Sequence, residues 1–215
     1  MNEVELATNK LRRGRPASGA HAAILAAALG LIKEQGLAHV TTREVARRAG
    51  VSEASVFYHF HDKVGLLQAV VLAGLTPLEA IDPSALGDGA GGSLAESLLK
   101  IASAFEEFFD RALPVCEAVQ ADTALRCDFA ERLAQRDLGP HRGVQLLEVV
   151  LAKMADSGRI GADVDRRSTA LLLIGAAFLR SWSRYLSDGA LSDRLPGLNE
   201  VATTLANLLR PRTDD

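Results

Sequence analysis

Residues 41–63 read TTREVARRAGVSEASVFYHFHDK, a pattern that predicts two short amphipathic helices joined by a glycine-containing turn. Thr41 and Glu44 have the spacing of a capping box, in which each side chain binds the other residue's backbone N–H and so fixes the start of a helix. Apolar residues then recur at helical spacing as far as Gly50, which can adopt the positive φ that ends a helix. Ser52 is the expected N-cap of the second helix.

The second helix is predicted to run from Glu53 to about Phe60. Val56 and Phe60 lie four residues apart, share one face and are expected to pack inward. Two short helices around a tight turn have the layout of a DNA-reading helix-turn-helix. The residues left to point outward are Glu53, Ala54, Ser55 and Tyr58.

The pattern Thr-Thr-x-x-Val-Ala-x-x-Ala-Gly-Val-Ser, followed by Ser-Val-Phe-Tyr-His-Phe and Asp-Lys, resembles the DNA-binding domain of the tetracycline-repressor (TetR) family of bacterial regulators. The resemblance covers about residues 22–71. The upstream helix fits as well, because an apolar stripe ends at Gln35 and Gly36, as in the family's first helix. This stripe consists of Ile24, Leu25, Ala28, Leu31 and Ile32.

The resemblance implies a set of DNA contacts. Thr42 would hold a phosphate, Arg43 would reach a base edge or a phosphate, and residues 52–55 would start the recognition helix in the groove. Arginine can bind guanine through two hydrogen bonds, and a small apolar side chain can lie against a thymine methyl. Hydroxyl and lysine side chains suit phosphate. The implied DNA-binding residues are Thr42, Arg43, Ser52, Glu53, Ala54, Ser55, Phe57, Tyr58, His59 and Lys63, the last three gripping the backbone together with Thr42.

Two positions depart from a simple DNA-binding pattern. The family usually has tyrosine where this chain has Phe57, so a hydroxyl that would contact phosphate is missing, and Tyr58 points elsewhere on the helix. Glu53 places an acid near a polyanion. Glu53 can accept a hydrogen bond from cytosine N4, or it can weaken binding to other DNA sequences. The alternative is that it only stabilises the helix, because an acid is favoured at the positive N-terminal end of the helix dipole.

The charge of the chain is polarised. The net charge is −3, but residues 1–70 hold nine basic and six acidic residues, giving +3, and the remainder holds 15 basic and 21 acidic residues, giving −6. A basic N-terminal part, joined to an acidic remainder, orients the molecule so that the basic part faces DNA. Four positive charges lie in residues 10–16, KLRRGRP, which we interpret either as an arm for the minor groove or as a disordered solubilising tail.

Composition argues against several other classes of protein. With 215 residues and 48% hydrophobic content, the chain can bury a proper core. We expect no membrane span and no secretory signal, hence a cytoplasmic protein with Cys116 and Cys127 as reduced thiols, a redox switch being the alternative. No Walker loop, Gly-x-Ser-x-Gly or His-Glu-x-x-His motif is present, so we expect no enzyme, no metal and no cofactor.

The fold is predicted to be all-α, with an N-terminal three-helix helix-turn-helix domain followed by a helical ligand-binding and dimerisation domain. The predicted segments are a flexible basic arm (1–17), the DNA-binding domain (18–62), a connecting helix capped by Asp62 (63–75) and the C-terminal effector-binding and dimerisation domain (76–215). No segment has the pattern of a strand.

Prolines, glycines and capping residues mark the predicted helix boundaries in the C-terminal part. Prolines and a glycine cluster predict a loop over 76–92. Ser93 and Glu96 form a second capping box, whose helix is expected to end near Ala112, with Pro114 starting another. Later helices are predicted within 121–157, interrupted at Gly139-Pro140, then over the apolar run 171–179 after Asp165, and from Pro196 to about Arg210.

The resemblance implies a homodimer formed through the last two helices. Small residues among large ones allow close helix approach, and DNA readers with two-fold symmetry bind two half-sites. The alternative is that these stripes only fill the core of one chain. The residues concerned are Leu172, Gly175, Ala176 and Leu179 on one helix and Val201, Leu205 and Leu208 on the other.

The resemblance also implies a pocket for a small-molecule effector whose binding changes the separation of the two DNA-binding heads. Side chains that can line an apolar cavity are Phe105, Phe108, Phe109, Cys116, Phe129, Met154, Phe178, Trp182 and Tyr185. Such residues also commonly form a core. The predicted function is therefore a repressor released from a palindromic operator by a largely apolar ligand. The alternatives are an activator, a regulator that answers to a protein partner, and a DNA-organising protein.

Overall fold

The structure, a computed structural model, describes residues 17–36, 40–87 and 92–211. It confirms the all-α fold, since no strand occurs in these residues. The helices are α1 (Ala17–Gln35), α2 (Thr42–Ala49), α3 (Glu53–Phe60), α4 (Lys63–Ala73), α5 (Thr76–Glu79), α6 (Pro83–Gly87), α7 (Leu94–Gln120), α8 (Thr123–Gln135), α9 (Pro140–Asp156), α10 (Arg166–Ser187), a short 3₁₀ helix (Ser192–Arg194) and α11 (Leu198–Leu208). None of the helices in these ranges is long and apolar enough to cross a membrane.

The chain divides into two compact units, Met1–Val70 and Val71–Asp215. In the first unit, α1 packs against α2 and α3. The apolar stripe predicted on α1 is largely buried, with Ile24 and Ala28 fully covered. Most of the basic arm predicted at the N-terminus, up to residue 16, lies outside the described residues.

The second unit is built around α7, which packs against α10 and α11, while α9 packs against α10 and α6. Its core contains Leu98, Ile101 and Phe105 from α7 together with Leu151 and Leu173, all of them buried. Burying this many apolar side chains stabilises the unit, because each contributes about 1.5 to 3 kcal/mol relative to exposure.

The expected break at Pro114 is wrong. Helix α7 runs through this proline without a break and is 27 residues long in total. An interior proline removes one backbone hydrogen bond and costs about 3 kcal/mol. Leu113 and Val115 on either side of it are buried, so tertiary packing holds the helix together across the defect.

The expected loop over 76–92 is also wrong in part, because α5 and α6 lie within it. The two prolines that suggested a loop stand at the starts of these helices, Pro77 second in α5 and Pro83 first in α6. Proline suits the first helical turn, where its missing N–H would have no partner anyway. Asp82 supports α6 by accepting a hydrogen bond from the Ser84 N–H at 2.8 Å.

The capping box predicted for the second unit is confirmed, and a further cap at Asp165 was not predicted. Ser93 and Glu96 form the reciprocal capping box at the start of α7, with bonds of 3.2 and 2.7 Å. Asp165 accepts from two backbone N–H groups at the start of α10. The last helix, α11, ends two residues before the predicted Arg210.

Candidate nucleic-acid interface

The first helix of the motif, α2, begins with the cap predicted for Thr41. The Glu44 N–H donates to Thr41 Oγ1 at 3.1 Å. The other predicted bond of the capping box, from the Thr41 N–H to the Glu44 carboxylate, is wrong. The Glu44 carboxylate instead accepts from Arg47 Nε and Nη2 at 2.8 and 2.5 Å. A charged guanidinium one turn away is a stronger partner than a neutral backbone N–H. The hydrogen bond from Arg47 holds the pKa of Glu44 below its usual range.

The turn between α2 and α3 has the predicted glycine cap. Gly50 lies in the left-handed region, with φ 68° and ψ 32°. The next N–H, that of Val51, donates to the Ala46 carbonyl at 3.0 Å and closes the end of the helix. Ser52 then caps α3 by accepting from the Ser55 N–H at 3.2 Å.

Gly50→Val is expected to destabilise the first unit by about 1 to 3 kcal/mol, because a β-branched residue is strained in the left-handed region. A Cβ at Gly50 meets no atom within 4 Å, so the cost is conformational and not steric. Urea unfolding measures it. Gly50→Asn is the matched control and should lose clearly less, since asparagine tolerates this conformation. Equal losses in both variants would contradict the backbone explanation.

Helix α3 presents an exposed side. Val56 and Phe60 are 1% and 5% exposed, as predicted, and anchor the opposite face. Tyr58 is 80% exposed and Phe57 is 48% exposed. Ser55 is half-buried, and the remaining predicted DNA-contacting residues at the start of the helix, Ser52, Glu53 and Ala54, are exposed.

Two residues predicted to grip the DNA backbone are less exposed. His59 is half-buried, and its ring lies 5.8 Å from that of His21 on α1 and 5.2 Å from that of Tyr58. His59 therefore packs between helices with part of its ring accessible. Lys63, the first residue of α4, is also half-buried.

Two of the three arginines on α2 are paired with acids. Arg48 binds Glu34 of α1 through both terminal nitrogens, at 2.6 and 2.5 Å, and these bonds lower the pKa of Glu34. Arg47 is held by Glu44. Arg43 is exposed and forms no ion pair within the described ranges, so its guanidinium is available to an external anion.

A contact that the sequence did not predict joins α2 to α3. The Thr42 hydroxyl donates to Glu53 Oε1 at 2.6 Å. These are the first residues of the two helices. They lie 11 positions apart on either side of the turn, where no helical spacing indicates a contact.

In the second unit, most of the predicted pocket aromatics form one row across α7 and α10. Ring centroids lie 5.2 Å apart for Phe108 and Phe109 and 5.3 Å for Phe109 and Phe178. The row continues to Trp182 at 6.3 Å and from there to Tyr185 at 6.1 Å. We define these five residues as the aromatic row.

The other predicted pocket residues lie outside this row, although the Phe105 ring lies 6.4 Å from that of Phe109. Phe105 and Met154 belong to the hydrophobic core. Phe129 is buried on α8, and no ring contact between it and the aromatic row occurs among the described residues. Cys116 is partly covered on α7, and burial raises the pKa of its thiol.

An ion-pair network between α7 and α10 lies beside the aromatic row. Glu106 accepts from Arg180 at 2.9 Å and from Arg184 at 2.8 Å. Arg184 also binds Asp110, and the Tyr185 hydroxyl donates to Glu117. Sequence patterns give no signal for this network because its partners lie 68 to 78 positions apart.

A cleft of about 780 Å³ in the second unit was also missed. It lies between the start of α10 and the end of α11, with Asp165, Ser168 and Leu172 on one side and Leu208 and Arg210 on the other. None of the predicted pocket residues lines it. Local sequence patterns give no signal for a cleft that forms only when two distant helix ends meet.

Known proteins resemble this chain first in the motif region. Residues 24–70 match the bacterial regulatory proteins of the tetR family. The HTH-type transcriptional regulator SrpR of Pseudomonas putida is 41% identical over 56 residues, which are 26% of this chain and 26% of SrpR. This match therefore spans about a quarter of that relative's length.

Two further comparisons extend along the chain. The uncharacterized HTH-type transcriptional regulator YvkB of Bacillus subtilis is 26% identical over 184 residues, covering 85% of this chain and 92% of YvkB. The transcriptional regulator FadR of B. subtilis, solved in complex with stearoyl-CoA, is similar in structure with a TM-score of 0.55. At 17% identity this likeness, over 86% of this chain and 95% of FadR, shows the fold. Residues 24–70 therefore match the DNA-binding domain of the tetR family, and the whole chain is similar in sequence or fold to regulators of this kind.

Proposed function

We propose that the protein is a repressor that binds a palindromic operator as a homodimer and is released by a small, largely apolar ligand. The observation that carries this proposal is the exposed side of α3, which faces outward because Val56 and Phe60 are buried on the other side. A helix anchored in this way can enter the major groove and present its side chains to base edges.

Four exposed residues supply different kinds of DNA contact. Arg43 is exposed and has no ion-pair partner among the residues that the structure describes, so its guanidinium suits guanine or phosphate. Ala54 can lie against a thymine methyl, and the exposed Tyr58 hydroxyl can donate to phosphate. The Ser52 oxygen accepts the capping bond, so its own proton remains for a phosphate.

Arg43→Ala is expected to weaken operator binding by about 1 to 3 kcal/mol without changing helicity, because it removes one base or phosphate contact. Titration of the operator duplex measures the loss. Arg126→Ala is the matched control, since it removes the same charge from an exposed position of α8. Equal operator affinity of Arg43→Ala and wild type would contradict the assignment of Arg43.

Phe57→Tyr is expected to tighten binding to operator and to random duplex alike, because it adds a phosphate donor without adding a base reader. Phe57 is 48% exposed, so the side chain is partly accessible. Tyr58→Phe is the reciprocal control and should weaken both affinities together. A change confined to the operator would show that position 57 reads a base.

The dimer is supported by an uncovered apolar face on the last long helix. Leu172, Leu179 and Leu186 of α10 are 64%, 52% and 66% exposed, and Leu208 of α11 is 75% exposed. Gly175 lies among them, with open space where a Cβ would stand. A patch of this kind is typical of a protein interface. Val201 and Leu205, also predicted for the interface, pack partly against the core of their own unit.

The aromatic row supports the proposed binding of an apolar effector. Phe178 and Tyr185 are 40% and 37% exposed, so the row offers accessible apolar surface beside a polar network. An apolar group can stack there, while the neighbouring charges can orient a polar end. The stearoyl-CoA found in the FadR structure combines an apolar chain with a polar end, and acyl thioesters are therefore included among the compounds to test.

The proposal is tested by selecting bound fragments from the source genome and then screening compounds that release them. One preferred palindrome, bound by a dimer and released by an apolar compound, is the expected result. By linkage, the operator must then weaken binding of that compound by the same factor, typically about 5-fold to 150-fold. Binding to bulk DNA without a preferred site would favour a DNA-organising protein. A palindrome that no compound releases would favour a protein-gated regulator, and transcription rising with occupancy would indicate an activator.

A further inference from the structure

The hydrogen bond between Thr42 and Glu53 places an acid at the ends of two helices. Thr42 is the first residue of α2 and Glu53 the first residue of α3. Their 2.6 Å bond therefore brings the Glu53 carboxylate to both helix N-termini. Such ends carry partial positive charge and unpaired N–H groups, which favour anions.

Glu53 differs from the neighbouring acids in its partner. Glu34 is neutralised by Arg48, and Glu44 by Arg47. Within the described part of the first unit, Glu53 has a hydroxyl partner and no cation. Its negative charge therefore remains uncompensated on the exposed side of α3.

The bond also uses the only proton that Thr42 can donate from its side chain. A threonine hydroxyl has one O–H donor. While that donor is directed to the carboxylate, it cannot bind a phosphate oxygen. A phosphate that approaches Thr42 meets the charge of Glu53 as well.

We infer that Glu53 competes with DNA phosphate from within the protein, holding the Thr42 hydroxyl and repelling the backbone, and so lowers affinity for DNA in general. The operator must supply enough other contacts to displace this bond. Glu53 thereby determines how strongly the protein discriminates its operator from other DNA. The inference rests on the proposed binding of DNA through α3.

The experiment measures the affinity of the full chain for its selected operator and for a scrambled duplex, at low and high salt. Glu53→Gln removes the charge but keeps an acceptor for Thr42, and Glu53→Ala removes both. We expect Glu53→Ala to tighten scrambled-duplex binding about tenfold at low salt, equivalent to 1.4 kcal/mol, with a smaller gain for Glu53→Gln. Both gains should shrink as salt screens the charge. Partial unfolding cannot produce a gain in affinity.

Thr42→Val provides the test of mechanism. In that background Glu53→Ala should tighten binding clearly less than in the wild type, because no hydroxyl remains to be released. Equal gains in both backgrounds would overturn the inference. It would also be overturned by weaker binding of Glu53→Ala, or by lost discrimination at a single base pair, which would make Glu53 a base reader.

Arg43→Ala separates this inference from the proposed function. If Arg43→Ala weakens binding while Glu53→Ala does not tighten it, DNA binding through this surface stands and the inference alone fails. If neither variant changes affinity, DNA is not bound through this surface and the proposed function fails as well.

Discussion

Replacing Phe105 with alanine is expected to lower the free energy of unfolding of the second unit by about 3 to 5 kcal/mol, the usual range for truncating a buried aromatic side chain. Phe105 is 2% exposed and lies in the core of that unit. Its ring also fills the space beside Gly143, where an added Cβ would lie 2.9 Å from the ring. Alanine cannot restore these contacts, so a cavity remains. Urea denaturation followed by circular dichroism measures the loss.

Phe178→Ala is the matched control for Phe105. It truncates the same kind of side chain in the aromatic row, but at a position that is 40% exposed, so a clearly smaller loss of stability is expected. If Phe105→Ala kept the unfolding midpoint of the wild type while abolishing the response to ligand, Phe105 would line a ligand cavity instead of filling the core.

Leu179→Glu is expected to raise the dissociation constant of the proposed dimer at least about 100-fold, because a charge buried without a partner costs about 3 to 5 kcal/mol. Leu179 is 52% exposed in the single chain and lies on the apolar face of α10. In a two-fold symmetric interface the substitution occurs twice. Sedimentation equilibrium measures the change.

Val149→Glu is the control for Leu179. Val149 has the same exposure, 52%, but lies on α9, outside the proposed interface. The dimer should survive this substitution. Dissociation of both variants, or of neither, would contradict pairing through the exposed face of α10.

The parts of the fold that the sequence predicted well depend on contacts between near neighbours. The caps at Thr41 and Ser93 each bind an N–H three residues along the chain, so the residue pattern contains both partners. The glycine cap at Gly50 likewise depends on one residue's backbone. These features set where helices begin and end.

The sequence was misleading where packing outweighed local preference. Pro114 lies inside α7 because buried neighbours compensate for its missing hydrogen bond. Pro77 and Pro83 begin short helices instead of marking a loop. Proline restricts the backbone in the same way in each case, but in the first helical turn its missing N–H has no partner to lose, whereas inside α7 only buried neighbours can offset the lost bond.

Sequence patterns could not predict most of the contacts that define the candidate sites. The bond between Thr42 and Glu53 crosses a turn, and the bond from Arg184 to Glu106 joins residues 78 positions apart. Each pair meets only after two helices have packed. The sequence could predict which residue types were available for these sites, but not which of them would meet.

The aromatic row gives the protein a built-in optical probe. Trp182 is the only tryptophan in the chain, and its ring is stacked between those of Phe178 and Tyr185. Its fluorescence therefore arises entirely from the second unit, free of any tryptophan emission from the DNA-binding unit. A compound that inserts into the row changes the polarity around the indole and so the wavelength of its emission. Occupancy of the proposed effector region can thus be followed without a dye, in the wild-type chain and in the presence of DNA.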